Sequence, residues 1–224
     1  MMSRRTISAP LLLAAMVLSL AACGDETDHI CHEANPPIEC VLKAPTSEAN
    51  LLDNLQAAYE YRDVAAYSDL LADDFRFYFD PDTRSSNNLP EFWNSDTDST
   101  QTGRLFTSTK VSEIRVNLTF NRTAVPDSRP GWSYIIVQDT FLEVDQIPDQ
   151  SEPEGITFRV DGQIQKFYFR KGKSPADTLA TSATAQRYYI VEWRDFGFGT
   201  GALASSAAVR PNTWGQIKAS KNVS

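Results

Sequence analysis

"NLQAAYEYRDVAAYSDLLADDFRFYFDP", Asn54 to Pro81, changes its hydrophobic period within a single stretch. Leading into it, Leu51, Leu52, Leu55, Ala58 and Tyr59 recur at helical spacing, and Thr46 or Ser47 stands where a helix cap is needed. Arg62-Asp63 interrupts the pattern. Asp63 is placed to cap a second, shorter helix whose apolar stripe is Val64, Tyr67, Leu70 and Leu71. The period then drops to two. Phe75, Phe77 and Phe79 alternate with Arg76, Tyr78 and Asp80, and Pro81 ends the run. That alternation predicts a strand with its phenylalanines on the core side and Asp80 turned away.

Downstream, Asn88 and Glu91 of "NLPEFW" have capping-box spacing, with Pro90 in the first turn. This predicts a third helix, interrupted by the polar run "NSDTDSTQTG" and resuming toward Phe106. From about residue 110 the texture is β. "EIRVNLTFN" places Ile114, Val116, Leu118 and Phe120 on one face, and "WSYIIVQDTFLEV", "GITFRV", "QIQKFYFRKG" and "RYYIVEWRD" follow. Helices followed by antiparallel strands predict an α+β domain with helices on one face of a sheet. The longest strands are apolar on both faces, so the second face calls for cover as well, which a homodimer through the sheet would supply. Tyr188, Glu192, Arg194 and Asp195 read as a charge network at a sheet edge.

The order helix, "RD", helix, "LLADDFRFYFDP", broken helix and long strands resembles the nuclear transport factor 2-like superfamily. The closing "WGQIKA" fits the same pattern, and the resemblance covers roughly residues 47–219. It implies a cone-shaped α+β domain with N-terminal helices packed on a curved antiparallel sheet. The wall of such a cone is also its pocket wall, and the large residues that would line it are Tyr59, Phe77, Phe79, Phe92, Trp93, Trp132 and Trp193. In the ketosteroid isomerases of this superfamily the general base is the aspartate of an Asp-Pro pair after the first strand. Asp80-Pro81 is similar, but the strand here is one residue longer, which turns the aspartate to the other face. The position of the isomerase tyrosine falls on Leu55, and Tyr59 one turn later is a poor substitute. The catalytic set is therefore incomplete, and the resemblance implies no catalytic residue. The alternative is a small isomerase, cyclase or dehydratase using Asp80 or Tyr78 as acid or base. Phosphate-binding glycine loops, a nucleophile elbow and a convincing metal cluster are all missing from the sequence, so neither cofactor nor metal is expected.

Before the domain, Ile7 to Ala22 is uncharged and follows Arg4 and Arg5. A run of sixteen residues is too short for a spanning helix, which needs roughly 20. Basic start, short apolar core and small residues describe a secretory signal over 1–22. Leu20-Ala21-Ala22-Cys23 resembles the lipobox of bacterial lipoproteins, in which the cysteine is acylated after cleavage. That resemblance implies a lipid attachment at Cys23, contact with membrane through the lipid, and a place in the cell envelope. Gly24 stands where an inner-membrane retention aspartate would sit, which favours the outer membrane or cell surface. Residues 23–45 read as an acylated flexible tether and 46–224 as the domain. Cys31 and Cys40 flank Pro36-Pro37 and are candidates for a local disulfide outside the cytoplasm. His29, Cys31, His32 and Cys40 lie close together, but their spacing matches no standard zinc pattern.

Loss of residues 1–22 removes two arginines and no acid, moving the net charge from −8 to −10. Such a balance repels nucleic acid and anionic headgroups. The expected role is therefore binding without catalysis, of either a small apolar ligand in the cone or a protein partner on the sheet.

Overall fold

The structure is a computed structural model that describes residues 36–119, 121–148, 150, 152–179, 186–198, 209–211 and 213–220. The signal segment, Cys23, His29, Cys31, His32 and Phe120 lie outside the described residues. None of the described helices is long and apolar enough to cross a membrane.

The stretch from Asn54 to Pro81 folds as its periods demand. Helix α2 (Glu48–Glu60) is capped by the Ser47 side chain, which accepts from the Asn50 amide, and buries Leu51, Leu52, Leu55, Ala58 and Tyr59. Arg62 has φ 56°, a left-handed turn that ends the helix. Its guanidinium donates to the carbonyls of Phe106, Ser108 and Val111 at 2.6–2.8 Å. The break in sequence is thus also a clamp on a later connection. Asp63 caps the short helix α3 (Val64–Asp69) through the Ala66 amide. Strand β1 (Leu71–Tyr78) follows at once, with Phe75 and Phe77 buried and Arg76 exposed.

The next segment departs from expectation. Asp80 caps helix α4 (Pro81–Asn87), accepting from the amides of Asp82 and Thr83. Asn88 ends that helix in a left-handed conformation and does not begin one. Phe92–Asn94 is a short strand, β2, paired with β1. The polar run "SDTDSTQTG" is not an interruption; it opens helix α5 (Ser95–Thr107), capped by Asn94. Its acids favour that place because Asp96 and Asp98 sit in the first turn, where the helix dipole stabilises negative charge.

The remaining described strands are β3 (Val111–Asn117), β4 (Val125–Pro126), β5 (Trp132–Gln146), β6 (Thr157–Lys171), β7 (Tyr188–Phe198) and β8 (Val209–Pro211), and helix α6 (Trp214–Ala219) is the last described element. Among the described residues the sheet order is β2-β1-β7-β6-β5-β3, with β4 beside β5 and β8 beside β6. Two features correct the sequence reading. The sheet is mixed, because β1 runs parallel to β7 and β8 parallel to β6. Most of the domain separates β1 from β7, and that long connection allows the parallel pairing. The "RYYIVEWRD" strand is therefore central in the sheet. Bulges between Val137 and Thr140 and on β6 next to Gly162, with positive φ at Asp139 and Gly162, bend the long β5–β6 ribbon. The curve wraps the sheet around α2, α3, α5 and α6, and the main core lies between them. This is the α+β plan that the resemblance implies.

Residues 36–45 do not behave as free tether. Ile38–Val41 forms a helical turn, α1, with Ile38 buried. The buried side chain of Asn54 accepts from the Lys43 amide at 2.7 Å and donates to its carbonyl at 2.8 Å. The Tyr188 amide donates to Pro45 O at 2.9 Å. The segment is held because satisfied backbone groups and one apolar anchor outweigh its chain entropy. Cys40 is disulfide-bonded, and its partner lies outside the described residues.

Candidate functional site

The interior of the cone is built from α2, α3, α5, α6 and the concave strands. Tyr59 on α2 meets Tyr67, Phe106 and Trp214 edge-to-face, with centroids 5.0–5.7 Å apart. Trp193 on β7 lies 5.2 Å from Phe77, 4.8 Å from Phe167 and 5.1 Å from Trp214. Phe79 and Trp93 continue the same wall, 4.7 Å apart. These separations are direct ring contacts, so side chains occupy this part of the interior.

Within the aromatics sits a buried polar trio. Lys218 Nζ donates to Asp98 Oδ1 at 2.7 Å and to the Tyr67 hydroxyl at 2.9 Å, and that hydroxyl donates to Asp98 Oδ2. The side chains of Lys218 and Asp98 are wholly inaccessible. The ammonium lies 4.3 Å from the ring centroids of both Phe77 and Trp193, whose faces help to solvate it. Burial pushes the Lys218 ammonium below its ordinary 10.5, and Asp98 acts against that shift. Burial, followed by the charge of Asp98, pushes the Tyr59 and Tyr67 phenols well above their ordinary 10.0. Both phenols are therefore proton donors at neutral pH. Trp214 Nε1 donates to the Tyr59 hydroxyl at 3.0 Å.

A second polar chain runs beside the trio. Trp193 Nε1 donates to Gln165 Oε1 at 2.6 Å, and Gln165 Nε2 donates to Asp195 Oδ1 at 2.9 Å. Asp195 Oδ2 accepts from the Gly215 amide at 2.9 Å. Glycine is required at 215, since a Cβ there would come within 2.6 Å of the Phe79 ring. Both chains tie α6 to the rest of the cone. Asp195 therefore belongs to the interior and not with Glu192 and Arg194.

Of the residues expected to line the cone, Tyr59, Phe77, Phe79, Trp93 and Trp193 come together. Phe92 and Trp132 do not. Phe92 precedes Trp93 on a strand, so the two point to opposite faces, and Phe92 stacks beside Tyr78 at 5.7 Å with Arg76 over its ring. Trp132 packs with Ala72, Tyr189 and Val191 in a separate cluster, and the Arg129 guanidinium covers its ring at 3.8 Å. The acid/base candidates also lie outside the cone. Asp80 is a helix cap, and Tyr78 faces outward beneath Arg194 at 4.8 Å.

The outer face of the sheet carries rings with cations laid on them. Lys166 stands 3.9 Å from the Tyr134 centroid and 4.6 Å from that of Tyr168. Arg129 and Arg194 both donate to Glu192, at 2.5 Å and 2.9 Å.

No family model and no curated protein matches the sequence. Several solved structures are similar to it. An aromatic ring hydroxylase candidate from Novosphingobium aromaticivorans is 12% identical, with 77% of this chain and 96% of that one covered and a TM-score of 0.48. A nuclear transport factor 2-like superfamily protein from Salmonella enterica is 7% identical, with 70% and 92% covered and a TM-score of 0.45. A nuclear transport factor 2-like protein from Rhodospirillum rubrum is 14% identical, with 66% and 96% covered and a TM-score of 0.40.

Proposed function

We propose that this chain is a lipid-anchored extracytoplasmic protein of the bacterial envelope. It works by binding a protein partner on the outer face of its sheet and does no chemistry there. The observation that carries the reading is the sealed Lys218–Asp98–Tyr67 trio beneath Phe77 and Trp193. Among the described residues, ring contacts and the trio take the space between the helices and β7. The outer face has what interfaces favour, namely tyrosine, tryptophan and arginine on a rigid strand scaffold. Ile136 stands exposed among them.

A photo-crosslinking residue placed at 136 or 166 in the host bacterium tests this, with position 60 on α2 as the control. A discrete adduct from the sheet positions and not from the control is expected. A self-adduct would identify the partner as a second copy. Absence of any adduct from the sheet, or an equal yield at position 60, overturns the reading. The anchor has its own test. Intact-mass analysis of membrane-extracted protein should give a chain that starts at Cys23 and carries acyl groups, and Cys23→Ser should lose both.

A further inference from the structure

At one end of the sheet, below the first turn of α2, lies a groove with a cavity volume of about 390 Å³. It is distinct from the aromatic interior and adjoins the outer face at Trp132, whose ring Arg129 covers. Glu48 reaches it from the helix, and Trp132, Ser133, Lys171 and Tyr188 reach it from the sheet. Pro126 closes one side. The size falls within the range of small-molecule sites.

The groove carries both signs of charge. Glu48 and Lys171 share it, yet neither makes an ion pair among the described residues. Glu48 Oε1 instead accepts from Ser133 Oγ at 2.7 Å. Lys171 Nζ instead stands 5.3 Å from the centre of the Tyr188 ring. Glu48 and Tyr188 line the same groove, and burial, followed by the charge of Glu48, pushes the Tyr188 phenol above its ordinary 10.0. Opposite charges that share a wet surface groove gain little by pairing, but each gains a charge-assisted bond when a ligand brings the complement. The positions are rigid as well. The Tyr188 amide is fixed to Pro45 O, and the Trp132 ring is stacked beneath Arg129.

We propose that this groove binds a small zwitterion of the free amino-acid or short-peptide class. Glu48 receives the ammonium, Lys171 receives the carboxylate, and Trp132 and Tyr188 flank the apolar body. The site adjoins the sheet face at Trp132, but its two charged contacts are its own, so either reading can fail alone.

The test uses the full chain and the dipeptide Ala-Phe as probe, followed by amide NMR shifts at residues 48, 133, 171 and 188. Saturable binding that perturbs these residues is expected. N-acetylation and C-amidation of the probe should each weaken it at least about tenfold, the scale of one lost charged hydrogen bond. Glu48→Gln should abolish the sensitivity to N-acetylation and keep the sensitivity to C-amidation, and Lys171→Met should do the reverse. Both side chains sit at the groove surface, and unchanged amide spectra elsewhere will report that each variant is folded. No saturation by about 10 mM, beyond the millimolar end of useful affinity, overturns the proposal. So does binding that ignores both blocking groups, or shifts confined to the Lys166–Arg194 face.

Discussion

Lys218 and Asp98 meet at 2.7 Å with neither side chain exposed, joining α6 to α5, 120 residues earlier. A buried pair of this kind contributes little net stability over an apolar replacement, but breaking it is costly. Asp98→Asn or Lys218→Met alone should destabilise the domain by about 3–5 kcal/mol, through the one charge left unpaired. The double variant should cost clearly less than the sum of the two. Urea unfolding of the four proteins measures that coupling, and simple additivity would contradict it.

Alkaline stability should follow the buried phenols. Tyr59 and Tyr67 keep their protons in the folded state above their ordinary 10.0, whereas in the unfolded chain they ionise there. Above that pH the folded state holds more protons, so stability falls as pH rises. Lys218 works the other way just below 10.5, where the unfolded chain holds the extra proton, but it is one group against two. The net expectation is a loss of stability above about pH 10, with Tyr59 and Tyr67 titrating last among the eight tyrosines. Tyrosinate absorbance followed alongside circular dichroism checks the order.

Asp80 should prove to be a cap and nothing more. Its carboxylate accepts from two amides at the start of α4. Asp80→Ala should cost about 1 kcal/mol, and Asp80→Asn almost nothing, because asparagine caps as well as aspartate. Binding on the sheet face should be unchanged in both variants. A large stability loss for Asp80→Asn would mean that the carboxylate's charge does more than capping needs.

Asn54 holds the pre-domain segment through both of its amide atoms. Asn54→Ala removes both bonds and should cost about 1–3 kcal/mol. It should also make residues 36–46 the first site of proteolytic cleavage. Because this segment packs on α2, reduction of the Cys40 disulfide should lower Tm measurably. No change on reduction would indicate that the crosslink lies beyond the packed part.

Much of the plan was legible in local periodicity. The helix–turn–helix–strand order from Leu51 to Phe79, the core side of its three phenylalanines and the outward turn of Asp80 follow from periods of 3.6 and 2, which any chain must obey once it buries an apolar face. The polar trio was only half visible. Trp214, Ile217 and Lys218 share one helical face, and so do Asp98, Thr102, Leu105 and Phe106. A charge on an apolar stripe signals a buried partner, yet no local pattern says which one. That pairing is non-local, as is the parallel pairing of β1 with β7, and both arise only when distant segments compete for the same neighbours. The Phe92–Trp93 region was misread because a capping-box spacing competed with a strand partner, and pairing with β1 prevailed. From its sequence alone this protein's α+β class, its first core face and its acidic balance were determined, because each depends on composition or short-range period. The tertiary structure decided that aromatics and an ion pair fill the described interior, that cations lie on rings across the outer face, and that Glu48 and Lys171 share a groove, because each joins residues that only the folded chain brings within a few ångströms.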